Sequence, residues 1–111
     1  MVEREIIDRV NKFRKAVEEN GIRVSKVILY GSQASGKTRE YSDIDVAVVS
    51  PDFGKDRFDE GVRLFEIAAK IDPRIEPVPV SVDEYETGTW IPLIYEIREK
   101  GIELSIEPAA P

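Results

Sequence analysis

Apolar residues open the chain at helical spacing. Ile6, Val10, Phe13 and Val17 recur at i, i+4, i+7 and i+11, one face of an α-helix, and predict a first helix over residues 3–20. Asn20-Gly21 stops it. The pattern then becomes a continuous apolar run, Lys26-Val-Ile-Leu-Tyr30, bounded by Ser25 and Gly31, which predicts a buried strand. Residues 31–42 are polar and predict a loop with room for one helical turn. Residues 43–49 predict a second strand, and Ser50-Pro51-Asp52-Phe53-Gly54 a turn. A second long helix follows over 56–70, with Phe58, Val62, Phe65 and Ala69 as its expected buried stripe. Gly61 within it costs about 1 kcal/mol relative to Ala, which points to close packing there. Asp72-Pro73 ends this helix. Residues 74–80 predict a third strand. Pro77 and Pro79 stand two apart, so their missing N–H groups fall on one lateral side, and the strand should lie at a sheet edge. A last helix is expected over 90–100, with Thr89 as N-cap and Pro92 in its first turn. Gly101 closes it, and residues 102–106 suggest a short final strand. The order αββαβα(β) defines an α/β (α+β) class with a small mixed sheet packed by helices. A single domain over 1–107 and a disordered tail at 108–111 are expected.

Composition removes whole classes of chemistry. The 111 residues include 16 basic and 22 acidic side chains, a net charge of −6. No direct nucleic-acid contact is expected, because a basic surface is its usual footprint. The chain has no cysteine and no histidine. That excludes thiol nucleophiles and Ser-His-Asp triads, and it disfavours zinc. A bound metal would have oxygen ligands, which points to Mg²⁺, Mn²⁺ or Ca²⁺. A general base would be a carboxylate, Lys or Tyr. The N-terminus lacks a continuous apolar signal-peptide core, and no apolar run approaches the ~18 residues of a membrane span, so a cytoplasmic location without membrane contact is expected.

Three features carry candidate chemistry, and each also has an ordinary reading. Gly31-Ser32 follows a buried strand directly. A glycine there lets a phosphate approach the backbone, with the hydroxyl and N–H groups as ligands, but a plain strand-ending turn looks the same. Asp43-Ile44-Asp45 opens a strand, so both carboxylates share one face while Ile44, Val46 and Val48 take the other. Carboxylates that close repel, and a pair can bridge two Mg²⁺ ions, although acidic residues at a strand start are also common. Glu76 is the sole acidic residue of the third strand; on an edge it can equally serve to deter aggregation.

The stretch Gly31-Ser-Gln-Ala-Ser-Gly36-Lys37-Thr38 also satisfies the phosphate-loop pattern G-x-x-x-x-G-K-[ST]. That pattern needs a long helix beginning at Lys37 to receive phosphates at its N-terminus. Residues 39–42 leave about one helical turn before the next strand, and the chain is short for a doubly wound sheet.

Gly31-Ser32, ten intervening residues and Asp43-x-Asp45 together resemble the G-S-x₁₀-D-x-D signature of the DNA polymerase β-type nucleotidyltransferase superfamily. The surrounding Leu29-Tyr30-Gly31-Ser32-Gln33-Ala34-Ser35-Gly36 and Ser42-Asp43-Ile44-Asp45 resemble it as well. Length and element order resemble its minimal nucleotidyltransferase branch over residues 3–101. The resemblance implies that Asp43 and Asp45 hold two Mg²⁺ ions, and that Glu76 completes the site and helps deprotonate an acceptor hydroxyl. It also implies that Gly31 and Ser32 grip the triphosphate of ATP. Ser35 stands where many relatives carry a basic residue, which leaves Lys37 and Arg39 as candidate phosphate contacts.

Relatives of this size commonly act beside a small helical protein of the HEPN family as a toxin–antitoxin pair, some by moving AMP onto a tyrosine of the toxin. The resemblance therefore implies an Mg²⁺-dependent transferase antitoxin with a HEPN-type partner. A non-catalytic antitoxin that blocks its partner sterically, and a transferase acting on a small molecule, remain alternatives. Trp90, Ile91, Leu93, Ile94, Tyr95 and Ile97 make the last helix apolar nearly all round, which marks 90–95 as a candidate oligomer or partner surface.

Overall fold

The computed structural model describes residues 2–36, 42–88 and 90–104. Within them run α1 (Arg4–Glu19), β1 (Lys26–Tyr30), α2 (Ser32–Ser35), β2 (Ile44–Ser50), α3 (Arg57–Ile71), β3 (Ile75–Ser81), α4 (Val82–Thr87), α5 (Pro92–Lys100) and β4 (Ile102–Leu104). The fold is the expected mixed α/β class. The one addition to the order is α4, and α2 is the single helical turn expected in the first loop. The tail at 108–111 lies outside the described residues.

The four strands form one sheet in the order β3-β2-β1-β4. β1 runs antiparallel to β2 and β4, whereas β2 and β3 are parallel and joined through α3. Ile44 N–H donates to the Arg74 carbonyl at 2.8 Å. With Ile44 opposite Ile75, this turns the peptide groups of Glu76 and Val78 toward β2 and those of Pro77 and Pro79 outward. The missing N–H groups therefore lie on the free side, and β3 is an edge strand as its prolines require.

The sheet is the middle of three layers. Ile6, Val10, Phe13 and Val17 of α1 pack with Leu64, Ile67 and Ala68 of α3 against Val27, Leu29, Ile44, Val46, Val48 and Ile75. On the other face Ile94 and Ile97 of α5 cover Ile28, Tyr30, Ala47, Val49 and Val80. β2 is thus buried on both faces, as a central strand between two helical layers must be.

Two details depart from the sequence pattern. The buried face of α3 is Leu64, Ile67 and Ala68, whereas Phe58, Val62 and Phe65 are 79%, 41% and 59% exposed and Ala69 is exposed. This helix has two apolar stripes, and periodicity alone does not say which one meets the sheet. At α5 the N-cap is Ile91, and Thr89 lies outside the described residues.

Candidate functional site

The sheet register gathers the acidic residues. Asp45 pairs with Glu76 across the parallel β2–β3 ladder, and with Tyr30 across the antiparallel β1–β2 ladder. All three occupy the face that carries Ala47, Val49 and Val80, the face under α5. Asp43 precedes β2 by one residue, and its carboxylate acts on both Asp45 and Glu76. Asp43, Asp45 and Glu76, from two stretches of sequence, therefore meet at one end of two strands.

Their electrostatics record the crowding. Burial, then the Asp43 charge, pushes the Asp45 carboxyl above its usual range, while a hydrogen bond from Glu76 lowers it in part. Glu76 is raised as well, first by desolvation, although the residue as a whole is exposed, and then by the charges of Asp43 and Asp45. Tyr30 is pushed up to about 12 by burial and by the charges of Asp45, Glu96 and Glu76. Among the described residues no Lys or Arg forms an ion pair with Asp43, Asp45 or Glu76.

The Gly31 corner is shaped around Asp45. Gly31 has φ 69°, and a Cβ added there would collide with Oδ2 of Asp45. A side chain is thus excluded both by conformation and by space. Ser32 opens α2 immediately beyond. Gln33 is buried, and its amide donates to the Asp43 carbonyl at 3.4 Å, which ties the turn to the start of β2. Gly36, in the left-handed conformation, ends α2. The candidate phosphate contacts Lys37 and Arg39 lie outside the described residues, as does Thr38. The phosphate-loop reading fails on architecture. β2 already begins at Ile44 and runs antiparallel to β1, so no long helix fits between 37 and 43.

Pattern reading passed over Tyr30, Gln33 and Glu96. Tyr30 and Gln33 were within reach: one is the last strand residue before the glycine, the other lies inside the motif. Glu96 was not, because the rotation of α5 over the sheet leaves no trace in periodicity. Of the apolar residues at 90–97, Ile94 and Ile97 are buried and Ile91 is partly so, while Trp90, Leu93 and Tyr95 are 81%, 39% and 52% exposed.

Three carboxylates with no cationic partner among the described residues suit a hard, oxygen-seeking ion such as Mg²⁺. Among the described residues no group of three acidic side chains forms a ready-made metal cage. Mg²⁺ seldom requires one. It is usually held by one or two carboxylates, with waters and substrate phosphates completing the shell. The donor set fits the ion on those terms.

The Nucleotidyltransferase domain family matches residues 10–103, and the chain belongs to it. Two solved structures share the fold. One is a protein from Sulfolobus solfataricus assigned as a nucleotidyltransferase, with a TM-score of 0.63 and 16% identity over 89% of this chain and 78% of that one. The other is a toxin–antitoxin with AMP-PNP, with a TM-score of 0.58 and 24% identity over 86% and 71%. No protein of curated function matches significantly.

Proposed function

We propose that the protein transfers AMP from ATP to a hydroxyl of a protein partner, breaking the α–β phosphoanhydride bond and releasing pyrophosphate, and thereby acts as an antitoxin. The observation that carries this reading is the Asp45–Glu76 register beside Asp43, next to a glycine corner that leaves space only for backbone. Asp43, Asp45 and Glu76 would hold divalent metal. When bound, the metal neutralises triphosphate charge and activates an attacking oxygen. Gly31 offers an approach with no side chain in the way, and the Ser32 hydroxyl offers a donor for phosphate oxygen. Glu76 in its ionised form, which bound metal favours, would take the proton from the acceptor hydroxyl.

The toxin–antitoxin neighbour supports a toxin as partner, and the family resemblance supports a HEPN-type protein with a tyrosine acceptor. The exposed Trp90, Leu93 and Tyr95 supply an apolar surface for it. The test incubates the protein with α-labelled ATP, Mg²⁺ and the product of the neighbouring reading frame, and reads label and intact mass. One AMP on the partner, lost with Asp45→Asn, is expected. A partner that is bound and silenced but never labelled would leave the steric antitoxin as the better reading.

A further inference from the structure

α3 carries a second apolar face that nothing in the chain covers among the described residues. Phe58, Val62 and Phe65 stand at i, i+4 and i+7, with Ala69 continuing the row, and all are exposed. With Arg57, Gly61 and Pro77 the first three line a groove of about 400 Å³. One side of the stripe runs into the protein's own sheet, where Gly61 approaches Pro79. Along the other side stand Asp59, Arg63, Glu66 and Lys70, at i, i+4, i+7 and i+11, all exposed.

Their charges alternate: minus, plus, minus, plus. Such a row is complementary to its own reverse. A second copy of α3 laid antiparallel, with a two-fold axis between Leu64 and Phe65, sets Asp59 against Lys70 of the other copy and Arg63 against Glu66, each twice. In that register Val62 falls between Phe65 and Ala69 of the other copy, and the two Phe65 rings flank the axis, as interleaved helix packing requires. A parallel two-fold arrangement would put the two rows on opposite flanks of the seam, where they cannot pair. Strand addition at this side of the molecule is blocked, because Pro77 and Pro79 present no N–H at the free edge of β3.

We infer that α3 is a homodimer face, closing two copies of this chain antiparallel about Phe65. Asp45 and Glu76 lie on the opposite face of the sheet, so the dimer leaves that corner open and the inference stands apart from the transfer reaction. A contact of one helix from each copy makes the dimer weak and concentration-dependent.

Sedimentation equilibrium of the full chain alone, from low to high micromolar concentration, tests it. The mass should rise from 12.6 kDa toward twice that value. Val62→Arg and, independently, Phe58→Glu should hold it at the monomer, with circular dichroism confirming the fold. Asp59→Lys or Lys70→Glu alone should weaken association about tenfold, since two ion pairs become two repulsions. Asp59→Lys with Lys70→Glu should restore it. A wild-type monomer throughout, including one whose α3 variants lose only a heterologous partner, overturns the inference. So does a double variant that fails to recover.

Discussion

Asp45 illustrates how a single carboxylate is set by its neighbours. It and Glu76 are both held above the ordinary carboxylate range, so the folded protein binds their protons more readily than the unfolded chain does. Without metal, stability should therefore fall as pH rises from the ordinary range through the raised values, and stay lowered above them. Asp45→Asn removes one charge and one source of the Glu76 shift. Its melting temperature in EDTA at neutral pH should exceed that of the wild type, with a flatter profile over the acidic range; a lower one with an unchanged profile would contradict this account of the corner. Glu76→Gln keeps the shape but cannot accept a proton. It should lower kcat far more than it weakens nucleotide binding, and normal turnover would return Glu76 to a plain edge-strand role. The nearness of Asp43 to Asp45 was legible in the sequence because strand parity sets residues two apart on one face. Glu96 was not legible, since nothing local fixes how a helix is turned above a sheet.

Elements were legible where one physical requirement dominated. The two prolines of β3 allow only an edge, and the edge is where it lies. α4 went unread although Ser81 and Glu84 form a full capping box at its start. Six residues carry too little periodicity to announce a helix, and the S-x-x-E signal was there to find. α3 was read with the wrong face inward. Its exposed stripe holds Phe58 and Phe65, bulkier than the buried Ala68, so side-chain size favoured the outer face, and the sheet selected Leu64, Ile67 and Ala68 instead. At the start of α5, Trp90 is the one tryptophan of the chain and is 81% exposed. In the isolated protein its fluorescence should be that of a water-exposed indole and open to quenching. Binding of the proposed partner should blue-shift and protect it, and Trp90→Ala should weaken that complex by ~2 kcal/mol or more, as an anchor residue does. Protection of Trp90 in a proven monomer, or a complex that leaves it unshifted, would remove this surface from the interface.

At the scale of the molecule, most of the architecture was readable: the element order, the mixed sheet and its helical cover followed from periodicity and punctuation. The side-by-side arrangement of β2 and β3, which brings Glu76 to Asp45, is a tertiary fact that no local pattern contains; resemblance to a family supplied the expectation. A cluster of carboxylates should repel bare ATP, so nucleotide should bind with metal or not at all. Mg²⁺ and ATP at 100 times the Kd should stabilise the fold by ~2.7 kcal/mol in thermal unfolding, and an equal gain in EDTA would defeat the metal assignment. The central claim is that nucleotide chemistry rests on the β2 and β3 carboxylates and not on a phosphate loop at 31–38. It is tested most directly by the transfer rate of Asp45→Asn against Lys37→Ala and Thr38→Ala in one assay with Mg²⁺, ATP and the proposed partner. A lysine that is only an auxiliary phosphate contact is worth about 1 kcal/mol. Asp45→Asn should therefore abolish transfer, Lys37→Ala should slow it about tenfold or less, and Thr38→Ala should leave it nearly unchanged. An active Asp45→Asn protein beside inactive Lys37 and Thr38 variants would contradict the account.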